Sequence, residues 1–392
     1  MSVTLIPTGY VPLTDAAPLI AAQEMGFAAE ERLTLELHRA PSWSSLRDML
    51  AFGRVDAAHM LAPVPVAAAL GIGGASTRLS VLCVLSVNGT VIGVSSSLAR
   101  RLADTGHRFS FDDAVSAGNA LTGAAGPDLR IGVPFPFSMH AELLNYWLKG
   151  LGTDTPLDIS IRTVPPPLMA QAIRKGEIDA FCVGEPWGSM AVEQGAGPLL
   201  LPGRAIWSFA PEKVLAVRGA WAETEPGLSG RLIRALWRAG RWLADPASRG
   251  LAAEILSSRR YLDLPAEIIE RALSGKFTVT AQGLQREAPG FIGFHDGAAG
   301  FPWRSQAQWI ALQLARRNGL NRQAALAKAG RVFRSDLYRD ALRGTGADLP
   351  GASSKLEGAI GAPMLAAGES EAVRLLQNRF FDGRVFDPQA AD

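Results

Sequence analysis

Five histidines, at positions 38, 59, 107, 140 and 295, are the side chains of this chain best suited to chemistry near neutral pH, and they are dispersed. Cys83 and Cys182 each sit alone inside an apolar run, which predicts reduced core thiols and no metal site. A phosphate-cradling lysine loop, a nucleophile elbow and a paired-histidine helix are all missing. The run Gly71-Ile72-Gly73-Gly74 follows an alanine-rich helical segment, where a dinucleotide loop needs a strand. These residues predict no catalysis, no metal and no cofactor, which leaves binding. His140 stands apart from the other four. It follows Arg130-Ile131-Gly132-Val133, an apolar strand whose pairing Pro134 and Pro136 stop, and precedes a helical stripe of Leu143, Leu144 and Trp147. With Ser138 as N-cap, His140 lies among unpaired backbone N–H groups at the positive end of a helix dipole, a natural place for a small anion.

The elements that must position this stretch alternate strand and helix. Strand Val3–Ile6 leads to a helix with Asp15 as N-cap and Gly26 as its stop, then to strand Leu33–Leu37. A helix started by Pro41-Ser42-Trp43-Ser44, running to Phe52 and ended by Gly53, gives way to strand Val55–Met60, and helix Pro63–Leu70 ends at Gly71. This rhythm predicts mostly parallel sheets flanked by helices. The junction Gly53-Arg54-Val55-Asp56-Ala57 is echoed by Gly176-Glu177-Ile178-Asp179-Ala180, which predicts two lobes of like architecture. Asn88-Gly89 reads either as a tight hairpin turn or as the point where a strand leaves the first lobe for the second. Lobe 1 is placed at residues 1–92 and 215–392, with a helical C-terminal extension, and lobe 2 at 93–214. Helices are expected at Gly230–Leu243, Ala247–Ser257 and Ala266–Leu273, an almost wholly helical chain from Ser305, and a mobile linker over 351–370.

A hydrophobic fraction of 48% with 19% charged residues suits a well-buried α/β protein, and 392 residues exceed one typical core. A net charge of +2 spreads no basic field and argues against direct nucleic-acid binding. The uncharged stretch from Ser80 to Ala99 carries Asn88, Gly89, Gly93 and several serines, so no membrane insertion is expected. No lysine or arginine precedes Arg32, as the start of a secretory leader would require, and a cytoplasmic location is expected unless an upstream segment has been removed.

Several segments, in order along nearly the whole chain, carry a resemblance. They include Pro12-Leu13-Thr14-Asp15, Ser42-Trp43-Ser44-Ser45-Leu46-Arg47-Asp48, Asp56-Ala57-Ala58-His59-Met60, Asn145-Tyr146-Trp147, Gly184-Glu185-Pro186-Trp187, Phe301-Pro302-Trp303 and Phe380-Phe381-Asp382-Gly383. Together they resemble the nitrate- and bicarbonate-binding proteins of the ABC-transporter solute-receptor class, and most of all its cytoplasmic nitrate/nitrite-sensor branch. The resemblance implies a two-lobed periplasmic-binding-protein fold (type 2) with the ligand in the cleft between lobes.

Carried over by position, it marks His59, Met60, His140 and Lys276 as ligand-binding, with Lys276 the cation that suits nitrate where an acidic residue accompanies bicarbonate. Met60 stands where an aromatic is expected and His140 is expected to titrate near neutrality where an amide would not, so nitrate and nitrite both stay open. Trp43 reads equally as core or as an apolar wall over the ligand. Pro136, Gly184 and Glu185 are expected to support the cleft, Glu185 through an interlobe hydrogen bond. The sensor branch implies lobe closure that releases an RNA-binding antiterminator partner. Two alternatives stand beside it: a transport receptor for nitrate, nitrite or bicarbonate, and a thiamine-pyrimidine-synthase-like enzyme. The latter calls for a cofactor-anchoring lysine and a Cys- or His-rich iron site that the sequence does not show.

Overall fold

The computed structural model describes residues 3–74, 77–125, 128–152 and 158–390. Strand β1 (Thr4–Tyr10) pairs in parallel with β2 (Leu33–Arg39) and β3 (Ala57–Leu61), and β4 (Leu79–Asn88) follows, buried along its whole length. Past Gly89 the chain enters a second sheet built from β5 (Thr90–Val94), β6 (Asp128–Val133), β7 (Asp158–Thr163), β8 (Ala180–Gly184) and β9 (Leu199–Pro202), in the order β7-β6-β8-β5-β9. Strand β10 (Pro211–Arg218) returns to the first sheet and fits between β3 and β4, antiparallel to both. A hairpin of β11 (Lys276–Thr278) and β12 (Gln285–Glu287) then packs against lobe 2, and β13 (Ile292–Gly293) closes the first sheet beside β4.

Asn88-Gly89 is therefore a crossing and not a hairpin turn, since β4 and β5 belong to different sheets. Asn88 sits at φ +58° and Gly89 at φ +100°, a left-handed pair that redirects the strand. The Asn88 amide ties the outgoing and returning crossovers together, its Nδ2 donating to Ser208 O at 2.9 Å and its Oδ1 accepting from Ala210 N at 3.1 Å. The chain thus changes lobe at Gly89 and is back in lobe 1 by Pro211, a few residues before each expected boundary. Both sheets are mixed where mostly parallel ones were expected, because the crossing strands β5 and β10 run against their neighbours.

The repeated junction holds in detail. Gly53 and Gly176 both adopt left-handed φ, and the aspartates three residues on each pair with an arginine, Asp56 with Arg218 at 2.6 Å and Asp179 with Arg130 at 2.8 Å. Helices Arg304–Asn318, Arg322–Ala329 and Ser335–Leu342 follow, but the described residues past Leu342 form no further helix, against the almost wholly helical chain expected from Ser305, and 351–370 is packed structure where a mobile linker was expected. Glu357 is fully buried and accepts from Ser305 Oγ at 2.7 Å, while Met364–Ala366 pairs with Val373–Leu375. The terminal segment reaches lobe 2: Phe380 packs on Trp207 and on Trp309 of the helix Arg304–Asn318, and Tyr146 Oη donates to Asp382 at 3.0 Å.

Candidate functional site

The polar centre of the molecule lies where the lobes meet, and its cation is Lys213. Lys213 and Glu212 are neighbours on β10, where a regular pleat would send them to opposite faces. Register shifts on either side of Lys213 break that alternation, and both side chains reach the same buried cluster. Lys213 Nζ lies 2.7 Å from Asp15 Oδ2, 2.8 Å from Glu212 Oε1 and 5.4 Å from the centre of the Trp43 ring. His59 Nε2 is 3.0 Å from Asp15 Oδ1, and its ring is 5.5 Å from Trp43. From lobe 2, His140 presents Nδ1 3.4 Å from Glu212 Oε1. All six side chains are fully buried.

Local structure explains each placement. Ser42 caps the helix Trp43–Ala51, its Oγ accepting from Ser45 N at 3.2 Å, which fixes Trp43 at the first turn. Ser138 caps the helix Met139–Gly150 as expected, accepting from Ala141 N at 3.2 Å and donating to Phe135 O at 2.6 Å, and so delivers His140 to the cleft. Gly184 ends β8 against the cluster: a Cβ there would meet Leu13 Cδ2 at 2.6 Å and approach His140 Nε2 at 3.9 Å. Two bonds join the lobes beside it, Thr14 N to Glu185 O at 2.9 Å and Trp187 Nε1 to Pro12 O at 3.0 Å.

Burial alone would raise the Asp15 carboxyl, but Lys213 and His59 overrule it and bring its pKa to about 2. Burial likewise works against the charge on Lys213, and the two carboxylates outweigh it and raise its pKa. Glu212 goes the other way: burial, aided by the nearby Asp15 charge, pushes it to about 7 against the pull of Lys213. Burial lowers both His59 and His140, the latter well below its usual value, with Lys213 adding to each shift. The centre therefore holds one ammonium, one carboxylate, one carboxyl poised near neutrality and two neutral imidazoles. Trp43 Nε1 and His140 Nε2 are buried without a hydrogen-bond partner. Such an arrangement offers charge-assisted and neutral N–H donors to a small acceptor-rich guest.

Of the residues expected from sequence, His59, His140, Trp43 and Gly184 are brought together here. Lys276 is not: it is exposed on β11, where only its neighbour Phe277 turns into the lobe 2 core. Met60 follows His59 on a pleated strand, so it faces the other way and packs in the apolar core. Pro136 is exposed at the tip of its loop. Glu185 makes its interlobe bond through its backbone carbonyl, while its carboxylate accepts from Ser189 N at 3.2 Å. Asp15 caps no helix; Lys213 and His59 take its carboxylate instead. Asp15, Glu212 and Lys213 were missed as site residues. The signal for the last two was a Glu-Lys pair embedded in the strand-like run Phe209 to Val217, where charge has no business unless it is paired or functional.

Residues 2–257 match the model of the NMT1-like family. The chain belongs to the NMT1-like family. Among its relatives, the nitrate/nitrite binding protein NrtA of Synechocystis sp. is 29% identical over 402 residues, covering 99% of this chain and 83% of that protein. The bicarbonate-binding protein CmpA of Synechococcus sp. is 29% identical over 374 residues, covering 91% and 82%. The nitrate import ATP-binding protein NrtC of Synechocystis sp. is 34% identical over 346 residues, 86% of this chain, and this chain spans only 50% of its length. The crystal structure of the periplasmic nitrate-binding protein NrtA from Synechocystis PCC 6803 superposes with a TM-score of 0.83 at 28% identity, covering 99% of this chain and 96% of that one. This NMT1-like chain accordingly has the periplasmic-binding-protein-like fold.

Proposed function

We propose that this protein is a solute receptor for a small monovalent oxyanion, nitrate in the first instance, which it holds at the lobe interface and passes unchanged to an import system. The observation that carries this is Lys213, a fully buried ammonium placed beside the unpartnered Trp43 Nε1–H and the His140 imidazole where two lobes close on one another. Nitrate carries acceptors only, which suits the Lys213 ammonium and the unpartnered Trp43 Nε1–H. The similarity to nitrate- and bicarbonate-binding receptors supports the transport reading better than the sensor branch expected from sequence, and lends nothing to an antiterminator partner. The test is calorimetric titration with nitrate, nitrite and bicarbonate, in which nitrate binds and Lys213→Gln abolishes the heat. Silence with all three anions would remove the proposal.

One observation favours a second reading. About half of the NrtC chain resembles this protein, so a ligand-sensing module acting on a transport ATPase is a coherent role for the same cleft, and the cytoplasmic location belongs to that reading. Deleting the gene separates the two: a receptor's loss stops uptake, whereas a sensing module's loss leaves uptake intact and removes its response to the anion.

A further inference from the structure

A separate cavity of about 360 Å³ lies behind the crossovers and shares no residue with the cleft cluster. Arg204, in the turn Gly203–Ala205 after β9, enters it from lobe 2, and Arg249, at the start of the helix Arg249–Ser257, enters it from lobe 1. Neither guanidinium has an acidic partner among the described residues. Arg204 Nε and Ser208 Oγ are both buried there without a hydrogen-bond partner. Burial lowers the Arg204 pKa with no opposing anion to restore it. A half-buried guanidinium with an orphaned Nε, lining the same cavity as an orphaned hydroxyl, is costly unless something completes it. Asp296, on the cavity rim, is exposed and bonded to neither arginine. Phe209, Leu273 and Phe291 give the cavity apolar walls, so it accommodates carbon as well as charge.

We infer that this cavity is a second ligand site, for a small organic carboxylate whose acidic head meets Arg204 and Arg249 and whose carbon body covers the apolar walls. Its volume falls in the range of small-molecule pockets, roughly 300 to 1,000 Å³. Arginine is the residue that captures carboxylate in a planar, bidentate fashion. Because the two arginines come from different lobes and the crossover residues Asn88 and Ser208 line the same cavity, a bound carboxylate favours one lobe arrangement and so alters the affinity of the cleft.

The experiment is titration of the full chain with glutarate, butyrate and inorganic phosphate, followed by nitrate titration with and without saturating glutarate. Glutarate and butyrate bind, phosphate binds more weakly because it leaves the apolar walls wet, and glutarate shifts the nitrate affinity. Arg204→Gln and Arg249→Gln each weaken glutarate by about tenfold or more. No binding of either organic acid, or binding unchanged in both arginine variants, overturns the site. Phosphate binding as tightly as glutarate overturns the organic ligand class, and an unshifted nitrate affinity overturns the coupling.

Discussion

His140 Nδ1 and Glu212 Oε1 stand 3.4 Å apart, one from each lobe, with the Glu212 carboxyl poised near pH 7 and the imidazole neutral. Below that pH the carboxyl is protonated, and Lys213 and Asp15 cancel, so an arriving oxyanion meets a neutral centre. Above it the centre already carries a net negative charge. Anion affinity is therefore expected to fall as pH rises through about 7, by at most about tenfold per pH unit. Glu212→Gln flattens the profile. Dissociation constants measured by calorimetry on both sides of neutrality check this, and a wild-type profile as flat as that of the variant rules it out.

Lys213 is expected to stabilise the fold as well as an anionic guest. Lys213→Gln leaves Asp15 and Glu212 buried with no cation, a loss of about 3–5 kcal/mol by analogy with other broken buried pairs. Adding Asp15→Asn removes the stranded charge. The double variant is expected to recover much of the stability in urea unfolding while still failing to bind anion, which separates the structural role of the ammonium from its role in recognition.

Gly184 answers to a different constraint. Its missing side chain lets Leu13 of the other lobe approach, with a Cβ position only 2.6 Å from Leu13 Cδ2. Parting the lobes relieves that clash, so Gly184→Ala is expected to weaken anion binding by about tenfold or more through loss of the closed form, with little change in thermal melting. A melting temperature that collapses with the affinity would show that the glycine matters to the lobe and not to its closure.

The sequence carried the two lobes, the strand-loop-helix geometry at Ser138 and the imidazoles, because capping, proline placement and strand patterning are local. It did not carry the cation. Lys276 and Lys213 are equally visible as letters, and only the irregular register of β10 turns Lys213 inward while β11 leaves Lys276 in solvent. Met60 was misplaced for a related reason, since a strand cannot aim consecutive residues into one pocket without such a bulge. Asp15 was read as a helix cap because caps are the common fate of an aspartate there, and its real partner lies nearly two hundred positions away. Lys276→Glu is consequently expected to leave anion affinity unchanged, and a marked loss by calorimetry would return that lysine to the site.

Glu185 gives the last expectation. Burial pushes its carboxyl to about 7, although Ser189 N hydrogen-bonds the charged form. The usual value is 4.5, so between about 4.5 and 7 the folded protein holds a proton that the unfolded chain has released. Stability contributed by this group is present at low pH and is lost as pH rises through that window, the reverse of a salt-bridged carboxylate such as Asp15. Glu185→Gln keeps an acceptor for Ser189 N and removes the buried charge. It is expected to gain about 3 kcal/mol over the parent well above pH 7 and nothing near pH 4, as read from melting curves at the two pH values. A variant that melts below the parent at the higher pH would mean that the ionised carboxylate is worth more to the loop than its burial costs.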